Sequence, residues 1–489
     1  MSVISATGYN MAENTISDFN GINTYTNPFN TADGNIIHCV NLDSDTNGSR
    51  VKRGGYDPFL GTPDNEQVNS LFSWLKNDGT TLFLYRASGS SLYYSAQGTG
   101  DWTICGGGTI SDGAHVTSAV LDDNMIIGDG VGSMKYTTTG TSFTAINYAP
   151  IGGHDPVEYQ GRIYALGAGT NSSHDFYSVT GTINDWDPAG DSDSILVGGA
   201  GNLLTQYKAS DRLLTCKNSG KQHRWDGDSL VDTATKLGPS SPYCVGNIED
   251  YRFWLNEQGI YISNADKPQL ISNPISRQIS NHSRTGIVAS TFKTIVAGAH
   301  GYDYCISAGT VTDDFTGITI PDAVINYDYK HNEFINYVYY NFPTAYHSFI
   351  DIDGEPTFIF GDATGQVYEF GDEFFTDNGH PIDAELEMIL HGNNPHMRKD
   401  FKYIEFYASP GCGASVSFAV VDVIKRGTDW IIEGSKIWKT LGDLHDGYTM
   451  FRFPPEARGR LMYLKIDESG QQPPWQLYSI HYTWDEIPL

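Results

Sequence analysis

No apolar run in this 489-residue chain approaches the about 20 residues that a membrane-spanning helix needs; among the longest is 418–421. Cysteine is sparse, and Cys39, Cys105, Cys216, Cys244, Cys305 and Cys412 are scattered without a Cys-x-x-Cys spacing. That argues against a structural zinc site and for free, mostly buried thiols formed in a reducing cytosol. Positive charge is scarce too: 30 Lys and Arg face 58 Asp and Glu, a net charge of −28. A protein that grips phosphates needs clustered bases, so general nucleic-acid binding is disfavoured; nucleic acid that slides past without sticking remains compatible. Residues 1–10 have neither a basic segment nor an apolar core, so no signal peptide is expected. The chain has no GxSxG, GxxxxGK[ST] or HExxH motif. Helical periodicity nowhere persists beyond three turns, which sets aside coiled coils and helical repeats.

What is abundant is Gly (53), Tyr (30), Phe (23) and Trp (9), the mixture of β-strands broken by tight turns. The first 35 residues are polar and read as an extended arm. A weak repeat of 35 to 50 residues follows, a period that suggests a propeller or solenoid. The clearest unit is 68–103, with Leu71 to Leu75, the turn Asn77-Asp78-Gly79, Thr81 to Tyr85, Leu92-Tyr93-Tyr94 and Asp101-Trp102. Similar units cover 116–146, 154–186, 203–230, 243–271, 287–334 (with an insertion near 309–320) and 345–370, giving seven in all. Trp74, Trp102 and Trp254 are expected in the propeller core. From His380 the texture changes to longer alternating strands, starting with Ile382 to Met388 and continuing at 403–408, 415–421, 430–433, 448–453, 460–466 and 476–483. Seven such strands suggest a β-sandwich. The expected architecture is all-β: an arm with the first strands (1–56), a β-propeller of about seven blades (57–379) and a C-terminal β-sandwich (380–489). Acid concentrates in the first part, with 43 acidic against 19 basic residues up to 379 and 15 against 11 beyond.

Several patterns invite a chemical reading. Asp43-x-Asp45-x-Asn47-Gly48 begins like a calcium loop, but Gly54 occupies the twelfth position and no helix flanks it; a polar turn is the simpler account. His380, His391 and His396 lack the spacing of helical metal ligands. Carboxylates at 351–355 and 362–373 would serve a glycosidase, yet pairs are expected by chance in so acidic a propeller. Ser95 to Trp102 matches only the ends of a sialidase-type turn. The basic spots Lys52-Arg53, Arg398-Lys399-Lys402 and Arg458-Gly459-Arg460 are expected to be solvated or to meet acidic neighbours in an oligomer. No catalytic, cofactor or metal residue is assigned.

The stretch 19–56 is the most informative. It runs Phe19-Asn20-Gly21-Ile22-Asn23, Asn27-Pro28-Phe29, Gly34-Asn35 and Cys39-Val40-Asn41-Leu42-Asp43, and closes on Gly48-Ser49-Arg50-Val51-Lys52-Arg53-Gly54-Gly55-Tyr56. This resembles the opening of many tailed-phage virion proteins, where a Gly-Gly-x-Asn start, a central Asn-x-Asp and a closing Arg-Pro-Gly-Tyr precede a propeller. Gly54 replaces the usual proline, and Asn20 stands where the first glycine falls. In overall order the chain is similar to the tail hub and nozzle, or packaged-DNA stabilisation, proteins of short-tailed phages. That resemblance implies a homo-oligomeric ring, six copies in those proteins, around the DNA channel below a portal and its adaptor. It also implies assembly in the host cytoplasm, residence in the virion tail, no sequence-specific grip on the passing genome and no membrane span. It carries no catalytic signature. Two other readings stay open: a glycan-binding or glycan-degrading propeller of a phage tail, and a cellular propeller scaffold.

Overall fold

The computed structural model describes residues 11–487 apart from 26–31, 210, 228, 235–236, 265–266, 280–286, 288–290, 314–315, 393, 410–412, 427–428, 434–435, 446 and 471–474. Asn27, Pro28, Phe29 and Cys412 therefore lie outside the described residues. The chain is an all-β propeller. Six antiparallel four-stranded units follow one another at 68–109, 117–145, 154–196, 203–234, 245–270 and 297–338. The seventh takes its first three strands from Ala345–Ile350, Pro356–Gly361 and Val367–Gly371, and its fourth from the N-terminal strand Gly55–Leu60, which pairs antiparallel to Val367–Gly371. The sequence count of seven blades holds, and the arm completes the last of them within the same chain.

Local chemistry sets the blades. Two-residue hairpins of type I′ need positive φ at both central positions, and polar residues or glycine tolerate this best. Asp122 and Asp123 (φ 48° and 58°) make one such turn in blade 2, and Gln160 with Gly161 (51° and 72°) another in blade 3. Apolar residues on the strands then fill the spaces between blades; Trp74 and Trp254 are fully buried, while Trp102 is half-buried.

Polar contacts stitch the seams. Val116 N–H donates to Ser70 Oγ (2.8 Å) between blades 1 and 2, and Asp155 N–H to Thr117 Oγ1 (2.8 Å) between 2 and 3. The Asp155 carboxylate accepts from Thr205 and the Gln206 amide of blade 4, and Arg252 of blade 5 lies 4.0 Å over the Tyr207 ring. Tyr304 donates to Cys244 O, His300 meets Ser348 at 3.2 Å, and Thr344 Oγ1 donates to Val68 O (2.7 Å) to close the circle. His115 and Tyr243, on the turns entering blades 2 and 5, stack with centroids 3.7 Å apart. These blades are not neighbours in the ring, so the stack links them directly across it.

The segment expected as a separate C-terminal sandwich is not built from C-terminal strands alone. Arg398–Ala408, Gly447–Arg452 and Gln476–Ile487 form one sheet together with Ala12–Ile16, Leu42–Ser44 and Arg50–Lys52. His380–Leu390, Ser415–Arg426 and Leu461–Gly470 form a second, extended by Asn35–Val40, which also touches the outer strand of blade 6. Buried residues of both sheets, among them Phe401, Tyr482, Phe418 and Leu464, share one apolar cluster with residues of blades 5 to 7. The N-terminal strands thus weld this region to the propeller. No helix among the described residues is long and apolar enough to cross a membrane.

Candidate functional site

The stretch 41–56 is where three parts of the molecule meet. Asn41 adopts φ 58°, and its buried amide accepts from Arg53 Nε (2.9 Å) and Val338 N–H (2.9 Å) while donating to Asp383 O (2.6 Å). The three cations that follow each reach a different partner. Arg50 makes a bidentate pair with Glu333 on the outer strand of blade 6 (3.0 and 2.7 Å), Lys52 bonds Glu468 in the C-terminal region (2.5 Å), and Arg53 makes a bidentate pair with Asp377 on the link leaving blade 7 (2.9 and 2.7 Å). All six side chains are buried. The Arg53 guanidinium also donates to Gly54 O and Val338 O, so each of its five N–H groups has an acceptor, and its plane lies 4.4 Å from the Tyr339 ring.

The glycines and the tyrosine belong to the same clasp. A Cβ on Gly55 would lie 2.1 Å from Thr376 O, and one on Gly21 2.5 Å from Glu333 Cβ, so the chain passes where no side chain fits. Tyr56 is buried edge-on among Tyr339, Phe360, Tyr368 and Phe370, and its hydroxyl accepts from the Asn341 amide (2.7 Å). Lys52-Arg53 is accordingly neither solvated nor intermolecular, which corrects the expectation for this spot. In an apolar seam a bidentate carboxylate is the partner that satisfies such a cation. Of the other basic spots, Arg398 pairs with Asp422, and Lys402 and Arg458 with Asp400, all more exposed. Lys399, by contrast, is fully buried and donates to the carbonyls of Asn394 and Met397, which corrects the expectation for that residue too.

Beside the clasp, Asp43 accepts from the Tyr337 hydroxyl, and Asn326 bridges Tyr337 and Asp303 (2.8 Å each). Desolvation pushes the carboxyl of Asp43 up to about 6 and that of Asp303 up to about 7. The folded chain therefore holds protons here that the unfolded chain releases above about pH 4. The stability these groups contribute is complete below that pH and is lost as pH rises through about 6 and about 7. Buried neutral His115 and His347, both lowered to about 4, act in the opposite sense below about pH 6.5. Comparing Asp303→Asn with its parent isolates the carboxyl. The variant should show a flatter loss of urea stability between about pH 5 and 8; equal slopes would show that Asp303 is already ionised in the folded chain.

The remaining sequence candidates fall apart into local roles. Asp45 caps its own turn through Thr46 and Ser49 while Asp43 faces Tyr337, so the two do not converge as calcium ligands. Asp351 and Asp362 likewise cap turns, accepting from Glu355 and from Thr364 and Gln366. His380 stacks on Tyr340, His391 lies 3.9 Å from Asp33, and His396 is exposed. Ser95 donates to Thr99 O within a hairpin. Among the described residues no three His, Cys, Asp or Glu gather as metal ligands, and the five described cysteines are free and buried.

Strand direction sorts the surface charge. Turns joining first to second and third to fourth strands share one end of the propeller; the other turns share the opposite end. The first end carries Asp78, Asp101, Asp122, Asp123, Asp185, Asp187, Asp191, Asp211, Asp226, Glu249, Asp250, Asp351, Asp353 and Glu355 against Lys76, Lys267 and Lys330 among the described residues. Among the described residues the opposite end carries Asp64, Glu66, Asp112, Asp129, Glu257, Asp313 and Asp362 against Lys221, Arg277 and Lys293. Several of these acids are already engaged, Asp64 with Arg86 and Asp129 with three backbone amides.

No family model and no curated protein matches the chain. Solved structures do. The computationally designed Ika8 protein is 9% identical over 64% of this chain and 99% of its own, with a TM-score of 0.39. The Pan2 WD40 domain of Neurospora crassa is 6% identical over 65% and 95%, with a TM-score of 0.38. BamB from Moraxella catarrhalis is 12% identical over 73% and 97%, with a TM-score of 0.36. At such distance the propeller assignment rests on the strand pairing itself.

Proposed function

We propose that this chain is a non-enzymatic structural protein of a phage tail, an oligomeric hub or nozzle that extends the DNA channel, retains the packaged genome and lets it leave. The observation that carries this reading is the segregation of acid onto one end of the propeller. Such a surface repels a polyanion and lets it slide, whereas a basic one would hold it. On this reading the DNA path runs outside each propeller, along a surface shared by several copies. The Asn41 to Tyr56 clasp agrees with it, because the residues that resemble a virion-protein opening are those that fix the arm into blade 7.

Negative-stain electron microscopy over a range of protein and salt concentrations tests the proposal. Rings with a central hole are expected, together with no retention of duplex DNA in a mobility-shift assay at low salt. Single discs under every condition, or a firm grip on DNA, would overturn it. Saccharide binding by such discs would favour a glycan-binding propeller.

A further inference from the structure

A cavity of about 390 Å3 opens at the seam between blade 6 and the C-terminal region. One side is built from the long blade-6 hairpin (Ile318, Thr319, Ile320 and Pro321) with Val338 and Tyr340. The other comes from His38 and Val40 on an N-terminal strand and from Pro381, Asp383 and Glu385. Volume, aliphatic walls and a few polar groups at a junction are the marks of a binding pocket.

Its chemistry is one-sided. Among the described residues no Lys or Arg lines it, and burial lowers His38 to about 4, leaving that ring uncharged at neutral pH. An anion would find no positive group there. Of the three carboxylates, Asp377 is taken by Arg53, and Glu385 is shared with Lys465 (3.0 Å) and His38 (3.5 Å). Asp383 is exposed and has no ion pair in the described structure. Tyr340 is 61% exposed at the mouth yet held in place, stacked on His380 with centroids 3.4 Å apart at 11° and tied through its amide to Asp377. An ordered aromatic face and a carboxylate without an ion pair, lining one cavity, attract a cation, and the aliphatic wall suits a methylene stem. Of the two tyrosines that line it, Tyr339 is buried against the Arg53 guanidinium, so a saccharide would find one exposed aromatic ring among walls of Ile, Val and Pro.

We infer that this cavity is a docking pocket for an arginine or lysine side chain on a basic segment of a partner protein, with Asp383 and Tyr340 receiving the charged head. The inference is independent of the virion reading.

Titrating the full-length chain with N-acetyl-arginine amide, followed by saturation-transfer NMR and calorimetry, tests it. N-acetyl-norleucine amide and maltose are the comparisons. Saturable binding of the arginine probe is expected, weakened by salt, reduced about five- to tenfold by Asp383→Asn and by Tyr340→Ala, and kept by Tyr340→Phe. Both side chains are exposed, so unchanged thermal melting confirms folding of the variants. Equal binding of the norleucine probe, competition by maltose, absence of saturable binding, or indifference to Asp383→Asn would each overturn it.

Discussion

Arg53→Met is expected to cost about 3–5 kcal/mol of folding stability, because it leaves the buried Asp377 carboxylate without its cation and takes a donor each from Asn41 and two carbonyl oxygens. The measurement is the midpoint of urea unfolding, followed by tryptophan fluorescence and near-ultraviolet dichroism. Arg53→Lys should lie between the two, since an ammonium cannot repeat the bidentate fork or serve five acceptors. Adding Asp377→Asn to Arg53→Met should restore part of the loss by removing the unpaired charge. A loss below about 1 kcal/mol for the single variant would mean that water reaches Asp377 and that the clasp is no anchor.

Removing residues 1–60 should be more damaging still. The strand Gly55–Leu60 is the outer strand of blade 7, and without it Val367–Gly371 presents a bare edge. The same deletion removes Arg50, Lys52 and Arg53 and leaves Glu333, Glu468 and Asp377 buried without their cations. An unpaired edge beside exposed apolar surface pairs with other chains. Soluble yield should fall several-fold, and the remaining protein should migrate as aggregates in size-exclusion chromatography. A soluble, monodisperse product with the parent's far-ultraviolet spectrum would show that the propeller closes without its N-terminal strand.

These two experiments probe different kinds of information in the chain. The blades were legible because their physics is local. Alternating apolar residues, aromatic runs and Asp, Asn or Gly turns repeat within about 40 residues, and each hairpin forms from neighbours in sequence. The insertion near 309–320 was visible the same way; it became the extended blade-6 hairpin Asp303–Thr312 and Thr319–Asp328. Asn41, Arg53 and Tyr56 stood out as a pattern but not as a mechanism.

The sequence alone determined that the chain is all-β, that it carries about seven blade units and that it is strongly acidic. Only the tertiary structure decided what the basic run 50–53 does, since its partners lie 283, 416 and 324 residues further along, beyond the reach of any local pattern. It also decided that the C-terminal strands share their sheets with the arm, and that acid gathers at one end of the propeller. Composition fixes how many carboxylates there are. The alternating direction of antiparallel strands fixes which face they share, because every second turn returns to the same side.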